Sequence, residues 1–205
     1  MGIITAIEPQ KKNKGRVSLF IDGEFFCGLE MLTVLKFRLK EKQAMEESEL
    51  LSLVLDSELT VAFEKAMGQI NVRMRTRKEI EEYLKDKKFS EEVIASTIAK
   101  LVNYRYVDDA EFCRHYIAAK RQSWGEIKIK YMLSGLGVES STIEEVYAAT
   151  SSQVEEACRL AIKKFSTEPD KQKVFGFLMR KGFDSSTIKS AFKQIDEEGL
   201  LDGIN

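Results

Sequence analysis

The sequence predicts a mainly α protein, with three tandem three-helix repeats in an elongated, curved array preceded by a small N-terminal β-hairpin element. Three observations carry this. Only 2 prolines and 12 glycines occur in 205 residues, too few turn-formers for a sandwich or barrel. Beyond the N-terminal stretch, apolar residues recur at three and four, the spacing of a helix's buried face. Finally, Glu139-Ser140-Ser141-Thr142-Ile143 returns 45 residues later as Asp184-Ser185-Ser186-Thr187-Ile188, inside longer similar stretches.

The chain opens with three β-prone segments, Ile3 to Ile7, Arg16 to Ile21 and Phe25 to Gly28. The polar stretch Gln10 to Gly15 separates the first two, and Asp22-Gly23, suited to a tight hairpin turn, separates the others. From Leu29 the helical period begins, with Leu29, Leu32 and Leu35, then Leu50, Leu51, Val54, Leu55, Leu59 and Phe63. Capping boxes place helix starts at Thr76 to Glu79, Ser123 to Glu126, Ser141 to Glu144 and Ser152 to Glu155, with a weaker acidic version at Asp108 to Glu111. Pro169 suits a first helical turn, and Gly135, Gly137, Gly182 and Gly199 fall where helices end.

Extending the repeat backward aligns Ile80, Ile129 and Val174; Leu84, Leu133 and Leu178; Phe89, Val138 and Phe183; and Ile94, Ile143 and Ile188. Tyr83, Met132 and Phe177 complete the template. These positions predict core packing. The expected divisions are residues 1–46 for the β element with a short helix, then repeats at 47–107, 108–150 and 151–205. A unit of about 45 residues is close to the lower limit for an independent core, so each repeat gains from stacking on its neighbours.

Several functions are excluded. No run of 18 apolar residues occurs and the start lacks the pattern of a signal peptide, so a cytoplasmic protein without membrane association is expected. Cys27, Cys113 and Cys158 are widely spaced and read as buried free thiols. His115, the single histidine, excludes a multi-histidine metal site and reads as a helix-surface residue. No clustered nucleophile, base or phosphate loop is visible, so no enzyme, catalytic residue, metal or cofactor is expected.

The charge balance, 32 Lys and Arg against 33 Asp and Glu, hides a basic middle. Residues 71–135 carry 14 cations and 10 anions, whereas residues 136–168 carry 3 and 6. Arg114, Lys120, Arg121, Lys128 and Lys130 surround Trp124 and Tyr131, and Arg73, Arg75 and Arg77 form a second cluster. Arg114 and Arg121 share one helix face, as do Trp124, Lys128 and Tyr131, because each set steps by three or four. A basic stripe with aromatics suits a macromolecular contact surface, and these cations with Trp124 are the candidate partner- or DNA-binding residues.

Arg75-Thr76-Arg77-Lys78-Glu79-Ile80 with Tyr83-Leu84, and Tyr106-Val107-Asp108-Asp109-Ala110-Glu111-Phe112, resemble the first repeat of the RecX family and the start of its second. Trp124-Gly125-Glu126-Ile127-Lys128-Ile129 through Gly137-Val138 is similar to that second repeat, and Lys173-Val174-Phe175-Gly176-Phe177-Leu178 to Gly182-Phe183 to the third. The resemblance implies a non-enzymatic regulator lodged in the helical groove of the RecA filament on single-stranded DNA. It implies inhibition of recombinase, ATPase and coprotease activity and modulation of DNA repair and the SOS response; direct contact with single-stranded DNA is expected to be weak at most, since the net charge is −1 and the acidic stretch 136–168 repels phosphate. A monomer is expected. The competing reading is a helix-turn-helix transcriptional regulator, opposed by the few cations on the second helix of each pair: Lys100 in the first, none in the second, Lys189 and Lys193 in the third. Lys88 stands where a Gly is common in the family.

Overall fold

The computed structural model describes residues 1–11 and 15–200. Of the expected loop between Gln10 and Gly15, residues 12–14 lie outside the described residues, as do residues 201–205 at the end of the third expected repeat. The chain divides into two compact units, one of residues 1–74 and 80–107, the other of residues 75–79 and 108–205.

In the first unit, β1 (Gly2–Pro9), β2 (Arg16–Ile21) and β3 (Glu24–Glu30) form an antiparallel meander, and β4 (Ala44–Met45) joins β1 at its far side, giving the order β3-β2-β1-β4. The N-terminal element is therefore a four-stranded sheet rather than a hairpin alone. Asp22 at φ 51° and Gly23 at φ 87° turn the β2–β3 hairpin, as the Asp-Gly pair predicts. Leu29 falls in β3 and not in a helix, because its period-2 partner Val17 on β2 draws it into the ladder. Helix α1 (Met31–Lys36) follows directly.

Helix α2 (Glu47–Ile70) has 24 residues, about 36 Å of rod at 1.5 Å per residue. Its length lets it serve two cores. Leu53 near its start packs with Ile4, Val17, Leu19 and Leu29 of the sheet. Ala62 and Ala66 near its end pack with Ile80, Leu84, Val93, Ile94, Ile98 and Leu101 from α3 (Arg77–Asp86) and α4 (Glu91–Asn103). Ser57 Oγ between these halves donates to the Gly28 carbonyl at 2.9 Å, tying the helix to β3.

The second unit holds α5 (Asp109–Lys120), α6 (Glu126–Gly135) and α7 (Ser140–Ala148) around one core, and α8 (Val154–Phe165), α9 (Lys171–Lys181) and α10 (Ser185–Glu197) around another. Two rows of the repeated apolar template are fully buried, with Leu84, Leu133 and Leu178 each 0% exposed, as are Ile80, Ile129 and Val174, whereas Tyr83, Met132, Phe177 and Phe89 are half-buried. Each such Leu contributes about 1.5–3 kcal/mol by leaving water. The first helices add a register of their own, since Ala62/Ala66, Cys113/Ile117 and Ala157/Ala161 occupy the same four-residue step inside the three cores. Cys113 and Cys158 are buried free thiols and Cys27 is half-buried and free.

Helix starts depart from expectation. The Thr76–Glu79 box forms, with the Glu79 amide donating to Thr76 Oγ1 and the Thr76 amide to Glu79 Oε2. Asp108 caps α5 by accepting from the Glu111 amide. Ser123, Ser141 and Ser152 cap nothing: α6, α7 and α8 start after Gly125, Glu139 and Gln153, without a side-chain cap. At α6 the reason is visible, because its first amides find main-chain acceptors elsewhere. The Gly125 amide donates to the Lys181 carbonyl at 2.9 Å and the Ile127 amide to the Gly182 carbonyl at 3.0 Å. The C-terminal end of α9 thus caps the N-terminal end of α6. The next junction is similar, with Thr76 Oγ1 at the start of α3 donating to the Leu136 carbonyl just past α6 at 2.8 Å.

Asp170 and Asp184 supply caps that the sequence reading lacks. Asp184 accepts from the Ser186 and Thr187 amides at 2.9 Å each and from both hydroxyls. Partial burial works against its charge, but these hydrogen bonds win and hold its carboxyl at about 2, below the ordinary 3.8. Asp184→Ala is expected to cost about 0.5–2 kcal/mol of stability at neutral pH, measured by urea unfolding. Because the folded-state value is the lower one, this contribution is present above about pH 4 and is lost as pH falls from 3.8 toward 2. The variant and its parent converge there.

Candidate interaction surface

The basic stripe is built on α5, the turn after it and α6. Asp108 fixes the start of α5, and three and four residues on, Glu111 meets Arg114 at 2.7 Å and His115 at 3.1 Å on the exposed face. The hydrogen bond from Arg114 holds the Glu111 carboxyl below its ordinary value and raises Arg114 in turn.

Arg121 is taken up by partners within the protein. Its Nε is 2.5 Å from Glu156 Oε1, with the two side chains 18% and 10% exposed, and one terminal nitrogen donates to the Ser151 and Ser152 carbonyls. Gln153, 7% exposed, donates to the Arg121 and Trp124 carbonyls at 3.3 and 3.1 Å. Arg121 is thus a clamp between the turn after α5 and the start of α8. Lys130 is held by Glu126 at 2.7 Å and Glu144 at 2.6 Å, with its ammonium 4.9 Å from the centre of the Tyr147 ring. Burial opposes its charge, but the two carboxylates prevail and raise its pKa.

Trp124 is half-buried, with one part of its indole against the core that contains Ile129 and Leu133. The ammonium groups of Lys120 and Lys128 sit 5.1 and 4.8 Å from its ring centre. Among the described residues neither lysine enters an ion pair. Ile127 and Tyr131, one helical turn apart, stand 55% and 77% exposed on α6. Cation–π contacts of this kind keep an indole and two positive charges available together at the surface.

The second cluster is divided. Arg75 pairs with Glu79 at 3.4 Å. The exposed Arg77 opens α3 with its amide on Asp109 Oδ1 at 2.9 Å, and Arg73, in the other unit, donates to the Met74 carbonyl at 2.8 Å.

A further surface escaped the sequence reading. At the end of α4, Tyr104 and Tyr106 are 57% and 48% exposed, with ring centres 6.1 Å apart at 65°. Tyr106 also meets Phe63 edge-on at 6.3 Å, and the Lys100 ammonium lies 4.5 Å from the Phe63 ring centre. Arg105 stands exposed between the tyrosines at φ 57°. The signal available in the sequence was Tyr-Arg-Tyr at a helix end, with Arg where Gly is the usual terminator.

Comparison with known proteins completes the description. Residues 2–46 match the family model of the regulatory protein RecX N-terminal domain. Residues 62–101, 108–146 and 151–192 match the first, second and third RecX three-helix domains. Regulatory protein RecX of Bacillus subtilis (strain 168) is 31% identical over 97% of this chain and 79% of its own length. That of Clostridium acetobutylicum is 33% identical over 95% of this chain and 97% of its own. The fold resembles a crystal structure of regulatory protein RecX at TM-score 0.74, 24% identity, covering 94% of this chain and 100% of that one. A crystal structure of RecX from Lactobacillus salivarius gives 0.64 at 24% identity, over 68% of this chain and 97% of that one. Among the described residues no helix is long and apolar enough to cross a membrane.

Proposed function

This chain belongs to the RecX family of regulatory proteins, and on that premise we propose that it is a non-enzymatic, cytoplasmic, monomeric regulator of the RecA recombinase. It binds the RecA filament on single-stranded DNA, in the filament's helical groove. By occupancy it hinders ATPase, strand exchange and coprotease activity, and so modulates DNA repair and the SOS response. The observation that carries the contact is the Lys120–Trp124–Lys128 group, where two cations with no carboxylate partner among the described residues flank an indole, with Tyr131 exposed on the same helix as Lys128. Aromatic and cationic side chains of this kind dominate binding energy at macromolecular interfaces. Arg75, Arg77, Arg114, Arg121 and Lys130 are the further cations of the same unit assigned to partner contact, and Arg73 is assigned to it separately on the other unit.

Co-sedimentation with RecA filaments, read beside filament ATPase, tests this. Trp124→Ala combined with Lys128→Ala is expected to weaken filament binding about 30-fold or more, the loss associated with a hot spot of about 2 kcal/mol, with helicity retained. Unchanged inhibition by that variant would reject the surface. Absence of filament binding by the parent chain would reject the function.

A further inference from the structure

We propose that the Tyr104-Arg105-Tyr106 corner of the first repeat, with Lys100 and Phe63, is a stacking platform for the bases of single-stranded DNA. This deepens the reading above by naming where the chain itself holds a strand, and it rests on that reading for the choice of polymer.

The local backbone explains how the platform is made. Helix α4 ends with the Arg105 amide on the Val102 carbonyl at 2.9 Å and the Tyr106 amide on the Leu101 carbonyl at 2.9 Å. This is the paired closure that puts its central residue in the left-handed region. Closures of the same form follow α6 and α9 at Gly137 and Gly182, φ 83° and 91°, and follow α3 at Lys88, φ 67°. Here the chain carries Arg at φ 57°, a conformation that costs a side chain more than it costs glycine. The turn projects the guanidinium into solvent and leaves the two exposed tyrosine rings in contact with each other.

The charges around the rings fit a polyanion. Among the described residues, neither Lys100 nor Arg105 is in an ion pair, in contrast to Arg75, Arg114, Arg121 and Lys130. Lys100 instead lies over Phe63, which holds Tyr106 edge-on. Two exposed aromatic rings bordered by two uncompensated cations match the requirement of unpaired bases, which offer flat faces and phosphates together. A duplex hides those faces. An acidic protein surface would use the cations and gain less from the rings.

Binding of a fluorescein-labelled oligothymidylate to the full chain, followed by anisotropy, tests the proposal. Tyr104→Ala is expected to weaken binding about 5- to 100-fold, the range for one lost base stack. Tyr104→Trp is expected to retain it. Arg105→Gly should weaken binding, reduce the steepness of the log-affinity against log-salt plot by about 0.7, and raise the unfolding midpoint by about 2–4 °C. An abasic oligonucleotide of the same length should bind the parent no better than Tyr104→Ala binds the intact strand. Equal binding by Tyr104→Ala and the parent, or equal binding of abasic and intact strands, would overturn the platform. So would loss of RecA-filament binding with the oligonucleotide unaffected, which would make the corner a protein contact. If the oligonucleotide behaves as expected while filaments are not bound at all, the platform stands and the filament reading falls.

Discussion

Arg121→Ala is expected to lower the free energy of unfolding by about 3–5 kcal/mol, read from urea transitions with an unchanged slope. The loss comes from the partner. With Arg121 gone, the Glu156 carboxylate, on a residue 8% exposed, keeps its burial and loses its counter-charge at 2.5 Å. The Ser151 and Ser152 carbonyls lose a donor in the same step. A buried pair costs most when one half is removed and much less when both halves give way to apolar groups. Arg121→Met with Glu156→Leu should therefore recover most of the loss. A residue acting only on a partner would behave oppositely, with stability unchanged and filament binding weakened. A triple replacement of Arg114, Arg121 and Lys128 would mix unfolding with lost contact, so Arg121 is best left in place when the surface is probed.

Gly125→Ala should be as damaging. A Cβ there would stand 2.2 Å from the Phe183 nitrogen and 2.3 Å from the carbonyl carbon and oxygen of Gly182. All three are main-chain atoms, so no side chain can swing away. The end of α9 must move off the start of α6, and the bonds from Gly125 and Ile127 to Lys181 and Gly182 are strained or broken with it. Overpacking together with two lost hydrogen bonds amounts to about 3–5 kcal/mol. Gly182→Ala strikes the same seam from the other side, where its Cβ would lie 2.6 Å from the Lys128 nitrogen at a backbone angle of φ 91°. Gly135→Ala is the control, since a Cβ there meets nothing within 4 Å. It should leave the melting temperature unchanged or raise it, by the loss of unfolded-chain freedom. Equal melting temperatures for Gly125→Ala and Gly135→Ala would show the seam to be slack.

The repeat was legible because burial acts on the same positions in each copy: Leu84, Leu133 and Leu178 are all fully enclosed, and their spacing is that of a helix face. The three strands were legible from β-prone runs around Asp22-Gly23, whereas β4, two residues long, has no period to read. Ser123, Ser141 and Ser152 misled because a capping box describes a helix end facing water. At α6 the main chain of another repeat meets those amides, and no local pattern carries that information. The surface was legible as composition and not as availability. Arg121 meets Glu156 across 35 residues and Lys130 meets Glu144 across 14, so partners distant in sequence decide which cations remain open. Trp124, Lys120 and Lys128 meet because the short turn between α5 and α6 brings the end of one helix and the first turn of the next to the same indole.

The seam between α6 and α9 bears on how the protein is made. A ribosome releases Gly125 and Ile127 well before Lys181 and Gly182, so the nascent second repeat emerges with its central rod uncapped until the third repeat follows. Maturation of the second repeat is thereby tied to synthesis of the third, and a message cut short before Lys181 would yield a second repeat with a frayed rod.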